Sequence, residues 1–220
     1  SSRRGMLYVG ANDGMLHAID ASIESGSSTG GTELFAYVPS FLYRGQTAPD
    51  VDGLRALSDL DYAHRNYVNA TPWVGDVDFA RTNGADASGD WRTILVGGLG
   101  KGGQGFFALD ITDPEAFTTE TGAASKVLWE FTDPDMGFSF GAPQVVKTKR
   151  WGWGVLLTSG HNNVRAFDSA GRGRGFLYVV DVKTGALLQK ISTGVGGMNN
   201  PSGLAQVTAF VPDTADGTVT

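Results

Sequence analysis

The sequence predicts an all-β chain folded as a β-propeller of four-stranded antiparallel blades, with about three to four blades of a larger ring present. Three observations predict it. Short apolar runs alternate with glycine-rich turns, one strand-and-turn pattern recurs along the chain, and no window sustains the 3.6-residue apolar period of a helix over three turns. The 32 glycines, set against 8 prolines, show no triplet period and fall between the apolar runs, where turns between strands need them.

The elements follow in order. "LYVGANDGMLHAIDA", from Leu7 to Ala21, is a strand broken by Asn12, Asp13 and Gly14 and then resumed, which reads as a β-hairpin because these residues tolerate positive φ in a tight turn. The second strand ends on Asp20, and "TELFAYVP" supplies its outer neighbour. This first unit, about residues 5–39, lacks a first strand; an upstream segment or a strand returning from the C-terminal side is expected to supply it, because propellers avoid exposed edges by closing the ring. Residues 40–70 read as an insertion between blades, with room for one short helix around Val51 to Leu60.

The second unit, about 72–133, contains "TPWVGDVDF", "RTILVGGLGKGGQGFFALDIT" and "SKVLWEFTD". The third, about 140–194, contains "GAPQVVKT", the stretch from "GVLLTSGH" to "GFLYVVDVKTG", and "ALLQKIST". In each copy the third strand of the blade ends on aspartate, at Asp20, Asp110 and Asp181. "SGLAQVTAFVPD" opens a fourth, incomplete unit over 203–220, so 1–220 reads as one partial propeller and a fragment of something longer.

Composition narrows the function. The chain has 220 residues, 41% of them hydrophobic and 18% charged, which is enough apolar material for a core and too little charge for a disordered tail. Its net charge of −6 supplies no basic stripe for phosphates, so no nucleic acid partner is expected. The basic groups "KTKR", Lys147 to Arg150, and "GRGRG", Gly171 to Gly175, read as solvated turns. The absence of cysteine excludes disulfides, thiolate catalysis and sulfur-ligated zinc. No apolar run reaches the ~20 residues of a membrane span, and "SSRRGM" has no apolar signal-peptide region.

Candidate chemistry is sparse. "DVKTG", Asp181 to Gly185, reads as a structural turn between the third and fourth strands of a blade, with aspartate accepting backbone bonds and glycine taking the left-handed position. His17, His64 and His161 have no metal-ligand or triad spacing. "GGLGKGGQG", Gly97 to Gly105, lacks the Lys-Ser/Thr ending of a P-loop and reads as a strand connection. "PDTADGTVT" approaches a calcium loop, whose alternating carboxylates surround a hard cation. Asp216 before Gly217 is in register there and Asp213 is out by one, while Pro212, Thr214 and Thr220 depart from it. Asp213 and Asp216 are therefore the candidate metal ligands, and calcium the candidate cofactor.

Pyrroloquinoline-quinone dehydrogenases share the D-x-x-TG turn, usually with an outer-strand tryptophan; here that position holds Phe35, then Trp129, and no aromatic in the third copy. Such a dehydrogenase fragment is the alternative reading. The strings "YVGANDGMLHAIDA", "ELFAYVPS", "HRNYVNATPWVGDV", "WRTILVGGLGKGGQGFFALDITDPEAF", "VLWEFTDPDMGFSFGAPQVV" and "GFLYVVDVKTGALLQKISTG", in this order, resemble the C-terminal β-propeller of the PilC/PilY family of type IV pili, from about Met6 onward.

The resemblance implies a non-enzymatic pilus biogenesis factor and tip adhesin, extracellular or associated with the outer membrane. Such a factor promotes pilus extension, surface attachment and twitching motility. It implies minor pilins of the tip complex as partners, and a host or abiotic surface as a further one. It also implies calcium regulation through a "DxDxDGxxD" loop, which "PDTADGTVT" only partly keeps. A scaffold of an envelope assembly complex would share the fold. The insertion, with Phe41, Tyr43, Tyr62 and Tyr67, and the loop Arg165 to Gly175 are the expected contact regions, because loops on a rigid scaffold carry recognition.

Overall fold

The structure is a computed structural model and describes residues 4–23, 29–44, 52–85, 87–164 and 173–210. It contains three antiparallel sheets, each built from strands consecutive in the chain. The first has three strands, β1 (Met6–Gly10), β2 (Leu16–Asp20) and β3 (Glu33–Tyr37). The second has four, β4 (Trp73–Asp78), β5 (Trp91–Gly98), β6 (Phe106–Asp110) and β7 (Val127–Phe131). The third also has four, β8 (Gln144–Thr148), β9 (Gly152–Thr158), β10 (Arg174–Asp181) and β11 (Leu187–Gly196). These are propeller blades, and the first has no strand beyond β1 on its inner edge among the described residues.

The helix expected in the insertion is a 3-10 helix, Gly53–Ser58, preceded by a second at Ser40–Leu42. One turn of α-helix, α1 (Glu120–Ala124), lies between β6 and β7, its first amides capped by the Thr119 hydroxyl, which accepts from Gly122 N. Residues 201–210 form no ladder, although exposure alternates from Gln206 to Phe210 as in a strand. Thr158 Oγ1 and Gly160 N donate to the carbonyls of Ala205 and Leu204 and hold this segment against the third blade.

Side-chain alternation explains how the blades stack. In the middle blade Ile94, Val96, Phe106 and Ala108 point to the third blade and pack with Val155, Leu157, Tyr178 and Val180. Leu95, Phe107 and Leu109 point the other way and pack with Leu16, Tyr8, Phe35 and Tyr37 of the first blade. All of β6 is buried as a result, and each large apolar side chain there contributes about 1.5–3 kcal/mol relative to exposure.

Every blade carries the same irregularity. The pairing of its last two strands shifts register between Ala18 and Ile19, between Ala108 and Leu109, and between Val179 and Val180. The extra residue on the outer strand is Leu34, Leu128 or Leu188, a β-bulge two residues before the terminal aspartate of the inner partner.

The residue after the bulge reaches the next blade. Phe35 stacks on Phe117 with ring centroids 3.8 Å apart and planes 5° from parallel. Trp129 donates from Nε1 to Val182 O at 2.9 Å and lies against Gly185, where a Cβ would fall 2.6 Å from the indole side chain. Gly185 has φ +72°, so this turn needs glycine for both its backbone angle and its neighbour. Gln189 takes the same place in the third blade.

Truncating Trp129 to alanine is expected to lower unfolding stability by about 3–5 kcal/mol, and Trp129→Phe by about 1 kcal/mol for the lost hydrogen bond. Denaturant unfolding of the three proteins measures both; an alanine variant as stable as the parent would show that the indole does not hold the two blades together.

Candidate functional site

The strand directions put two kinds of connection on opposite faces of the blades. The loops after β4, β6, β2 and β10 lie on one face, which we call lower. The β1–β2, β5–β6 and β9–β10 turns lie on the upper face with the connections from β3 to β4 and from β7 to β8.

Lower-face turns are closed by buried aspartates. Asp20 Oδ1 accepts from Ser22 N at 2.8 Å and from the Ser22 hydroxyl; Asp110 Oδ1 accepts from Thr112 N at 3.0 Å and from its hydroxyl. Asp181 Oδ1 accepts from Lys183 N, Thr184 N and Thr184 Oγ1, all within 3.0 Å. Asp78, at the end of β4, accepts from the amides of Ala80, Gly89 and Asp90. The Ser22 hydroxyl, then that of Thr29, hold the Asp20 carboxyl down at about 2. Burial pushes the Asp78 and Asp110 carboxyls up, yet their donors outweigh it and both stay below the ordinary carboxylate range. These carboxylates are committed to turn geometry.

The upper face is braced between elements instead. The insertion begins at the Ser40–Leu42 turn, where Glu130 of β7 accepts from Tyr37 OH and Ser40 N at 2.6 Å each, and also from the Ser40 hydroxyl. Burial first, then the bond to Glu130, pushes the Tyr37 phenol far up, so it stays a donor. The insertion returns along Tyr67–Asn69. Asn12, the first residue of the Asn-Asp-Gly turn, accepts from Tyr67 N at 3.1 Å, and Tyr67 OH donates to Gly53 O. Asn69 Oδ1 accepts from Lys101 N at 2.9 Å. Gly102 permits this approach, since a Cβ there would sit 1.7 Å from Tyr67 O. The glycine-rich stretch from Gly97 to Gly105 is thus a strand connection that seats the insertion.

The four insertion aromatics divide in two. Tyr67 is fully buried and Phe41 packs on Gly105, so neither is available to a partner. Tyr43 and Tyr62 are exposed, at 64% and 38%, as are Leu57 and Leu60. The exposed leucines are contact candidates that sequence reading missed; for Leu57 its place off the buried Gly53 and Ala56 side of the 3-10 turn was the available signal, while Leu60 lies past the end of that turn. In the second expected contact loop, residues 165–172 lie outside the described residues. Its base is fixed by Asn163, whose Nδ2 donates to Asp135 O and Arg174 O.

The histidines stand apart. His17 bridges two carboxylates, with Nε2 2.8 Å from Asp13 Oδ2 and Nδ1 2.5 Å from Glu33 Oε2. His161 pairs through its backbone with Phe138 and lies edge-on to Phe140, and His64 is exposed. Among the described residues no three His, Asp or Glu side chains converge as a metal site. Asp213 and Asp216 lie outside the described residues.

Hydrogen bonding to Glu33 raises the His17 pKa first of all, desolvation opposes it, and the bond to Asp13 adds to the rise, which prevails. A folded pKa above the unfolded one means that this contribution to stability is complete below about pH 6.5 and is lost as pH rises through the folded value. His17→Gln is expected to abolish that part of the pH dependence; unfolding midpoints measured from pH 5 to 9 would overturn this if both proteins gave parallel curves.

A family model described as the PilY1 beta-propeller domain matches residues 1–220. The type IV pilus biogenesis factor PilY1 of Pseudomonas aeruginosa is 36% identical over 211 residues, 93% of this chain and 15% of that protein. A type IV pilus biogenesis factor PilY1 homolog of Xylella fastidiosa is 36% identical over 193 residues, 86% of this chain and 11% of that protein. The crystal structure of the Pseudomonas aeruginosa PilY1 C-terminal domain superposes with a TM-score of 0.64 at 31% identity, covering 99% of this chain and 35% of that one. The chain therefore spans a small part of the length of these relatives.

Proposed function

The chain belongs to the PilY1 β-propeller domain family, and on that premise we propose that it is the non-enzymatic propeller module of a type IV pilus biogenesis factor, displayed at the cell surface on the pilus tip. In this reading it docks minor pilins through the upper face and so favours pilus extension, attachment and twitching motility. The observation that carries it is the insertion: a segment locked at both ends by Glu130, Asn12 and Asn69 yet presenting Tyr43, Leu57, Leu60 and Tyr62 to solvent.

Exposed aromatic and aliphatic side chains carried on braced backbone are what a protein contact needs, since little conformational entropy is left to lose on binding. The charged groups described above are spent on turns and braces. Calcium control through Asp213 and Asp216 would bring two carboxylates to an ion that takes six to eight oxygens, and no part of this reading runs through it.

Full-length protein carrying Tyr43→Ser, Leu60→Asp and Tyr62→Ser, returned to a deletion strain, is expected to fold but to disappear from sheared pili and to leave twitching deficient. A strain lacking minor pilins should lose the parent protein from that fraction in the same way. Parent levels of the triple variant in sheared pili, with normal twitching, would overturn the assignment of the upper face. Oxidation of an alcohol by the purified protein with pyrroloquinoline quinone would overturn the non-enzymatic reading.

A further inference from the structure

On the lower face, the loop after β4 lies against the β8–β9 hairpin and joins the second and third blades. Trp153 N donates to Arg81 O at 2.6 Å, Gly84 N donates to Trp151 O, and Thr82 bridges to Gly152. Sequence reading treats the basic run at this hairpin as a solvated turn; the structure adds three of the chain's five tryptophans. Trp91 is 59% exposed and meets Trp153 edge to face at 6.2 Å, and Arg150 lies over the Trp151 ring at 4.9 Å. Lys147 pairs across the ladder with Trp153, Lys149 is exposed beside Arg150, and Lys183 lies over Phe79.

Among the described residues, several cations gather here without a carboxylate partner. Arg4, Arg55, Arg92, Lys126 and Lys190 all pair with carboxylates, whereas Lys147, Lys149, Arg150 and Lys183 have no ion-pair partner among the described residues. Nearby carboxylates are already engaged. Asp90 binds Arg92 at 2.8 Å, and Asp78 and Asp181 are turned into backbone amides. In a chain of net charge −6, four unpaired cations beside an exposed indole form a local anion-attracting surface. The second and third blades build it together.

We propose that this patch, centred on Trp91 with Lys149 and Arg150, binds an acidic polysaccharide. The exposed indole offers a flat apolar face to the C–H side of a sugar ring, and the cations meet carboxylates spaced along the polymer. A polyuronate fits better than a nucleic acid strand, because Lys149, Arg150 and Lys183 sit at turns rather than along a groove that would track a phosphate backbone. The inference does not depend on the pilus role or on the upper face, and a result on one leaves the other standing.

The test is calorimetric titration of the full-length protein with polygalacturonate oligomers, beside neutral dextran, anionic phospholipid vesicles and oligothymidylate. Binding of polygalacturonate that weakens with salt is expected, with dextran at least about tenfold weaker. Trp91→Ala and the pair Lys149→Ala with Arg150→Ala should each weaken it about tenfold or more. Trp91→Phe should recover most of the affinity, which a general loss of folding would not allow. No binding of polygalacturonate, equal binding of dextran, tighter binding of vesicles or oligothymidylate, or unchanged affinity in the variants would each overturn the proposal.

Discussion

The middle blade can exist only between two others. Every residue of β6 is buried, half against the first blade and half against the third, so this sheet has no face that water could wet without exposing Phe106 or Phe107. Blade-to-blade packing is thus the constraint from which the rest follows. It demands sheets of regular width stacked at a fixed offset, and the bulges at Leu34 and Leu128 serve that offset by turning the following side chain to the neighbouring blade. Phe35 on Phe117 and Trp129 on Val182 and Gly185 are two forms of one contact.

The same constraint explains which parts of the fold were legible in the sequence. Three strand-and-turn copies ending on Asp20, Asp110 and Asp181 were readable because each aspartate has a local task, closing its own turn within three residues. The missing inner strand of the first blade was readable because the other copies show it. The bulge was not read, although "EL", "VL" and "LL" recur at its position, because a leucine in an outer strand has no distinctive local signature. Nor does exposure alternation make a strand by itself. Gln206 to Phe210 alternate in exposure and pair with no strand among the described residues, and a ladder needs a partner strand as well as a pattern.

The candidate site was less legible, for the converse reason: its determinants are long-range. Tyr67 looked like an exposed anchor in a polar segment and is fully buried, since Asn12, Gly53 and Gly102 close around it from distant positions. Tyr43 and Tyr62 differ from it only in lacking such neighbours. The lower-face cluster was legible as charge at Lys147 to Arg150. It was not legible as a surface, because Trp91 and Arg81 reach it from another blade.

The two faces also divide in how they spend polar groups. Lower-face carboxylates bond amides two to twelve residues away, so each of these turns is closed locally, with Asp20 and Asp110 also meeting Arg4 and Lys126 while the cations at Lys149 and Arg150 keep no such partner among the described residues. Upper-face groups such as Asn69 with Lys101 and Glu130 with Tyr37 bond across 32 and 93 residues, so those loops hold only if their neighbours do. Self-contained turns leave charge free for diffuse, salt-sensitive attraction. Cross-braced loops instead fix the positions of exposed apolar side chains, which a shape-specific protein contact requires. One stack of blades thereby presents charged turns on one face and braced, exposed apolar side chains on the other.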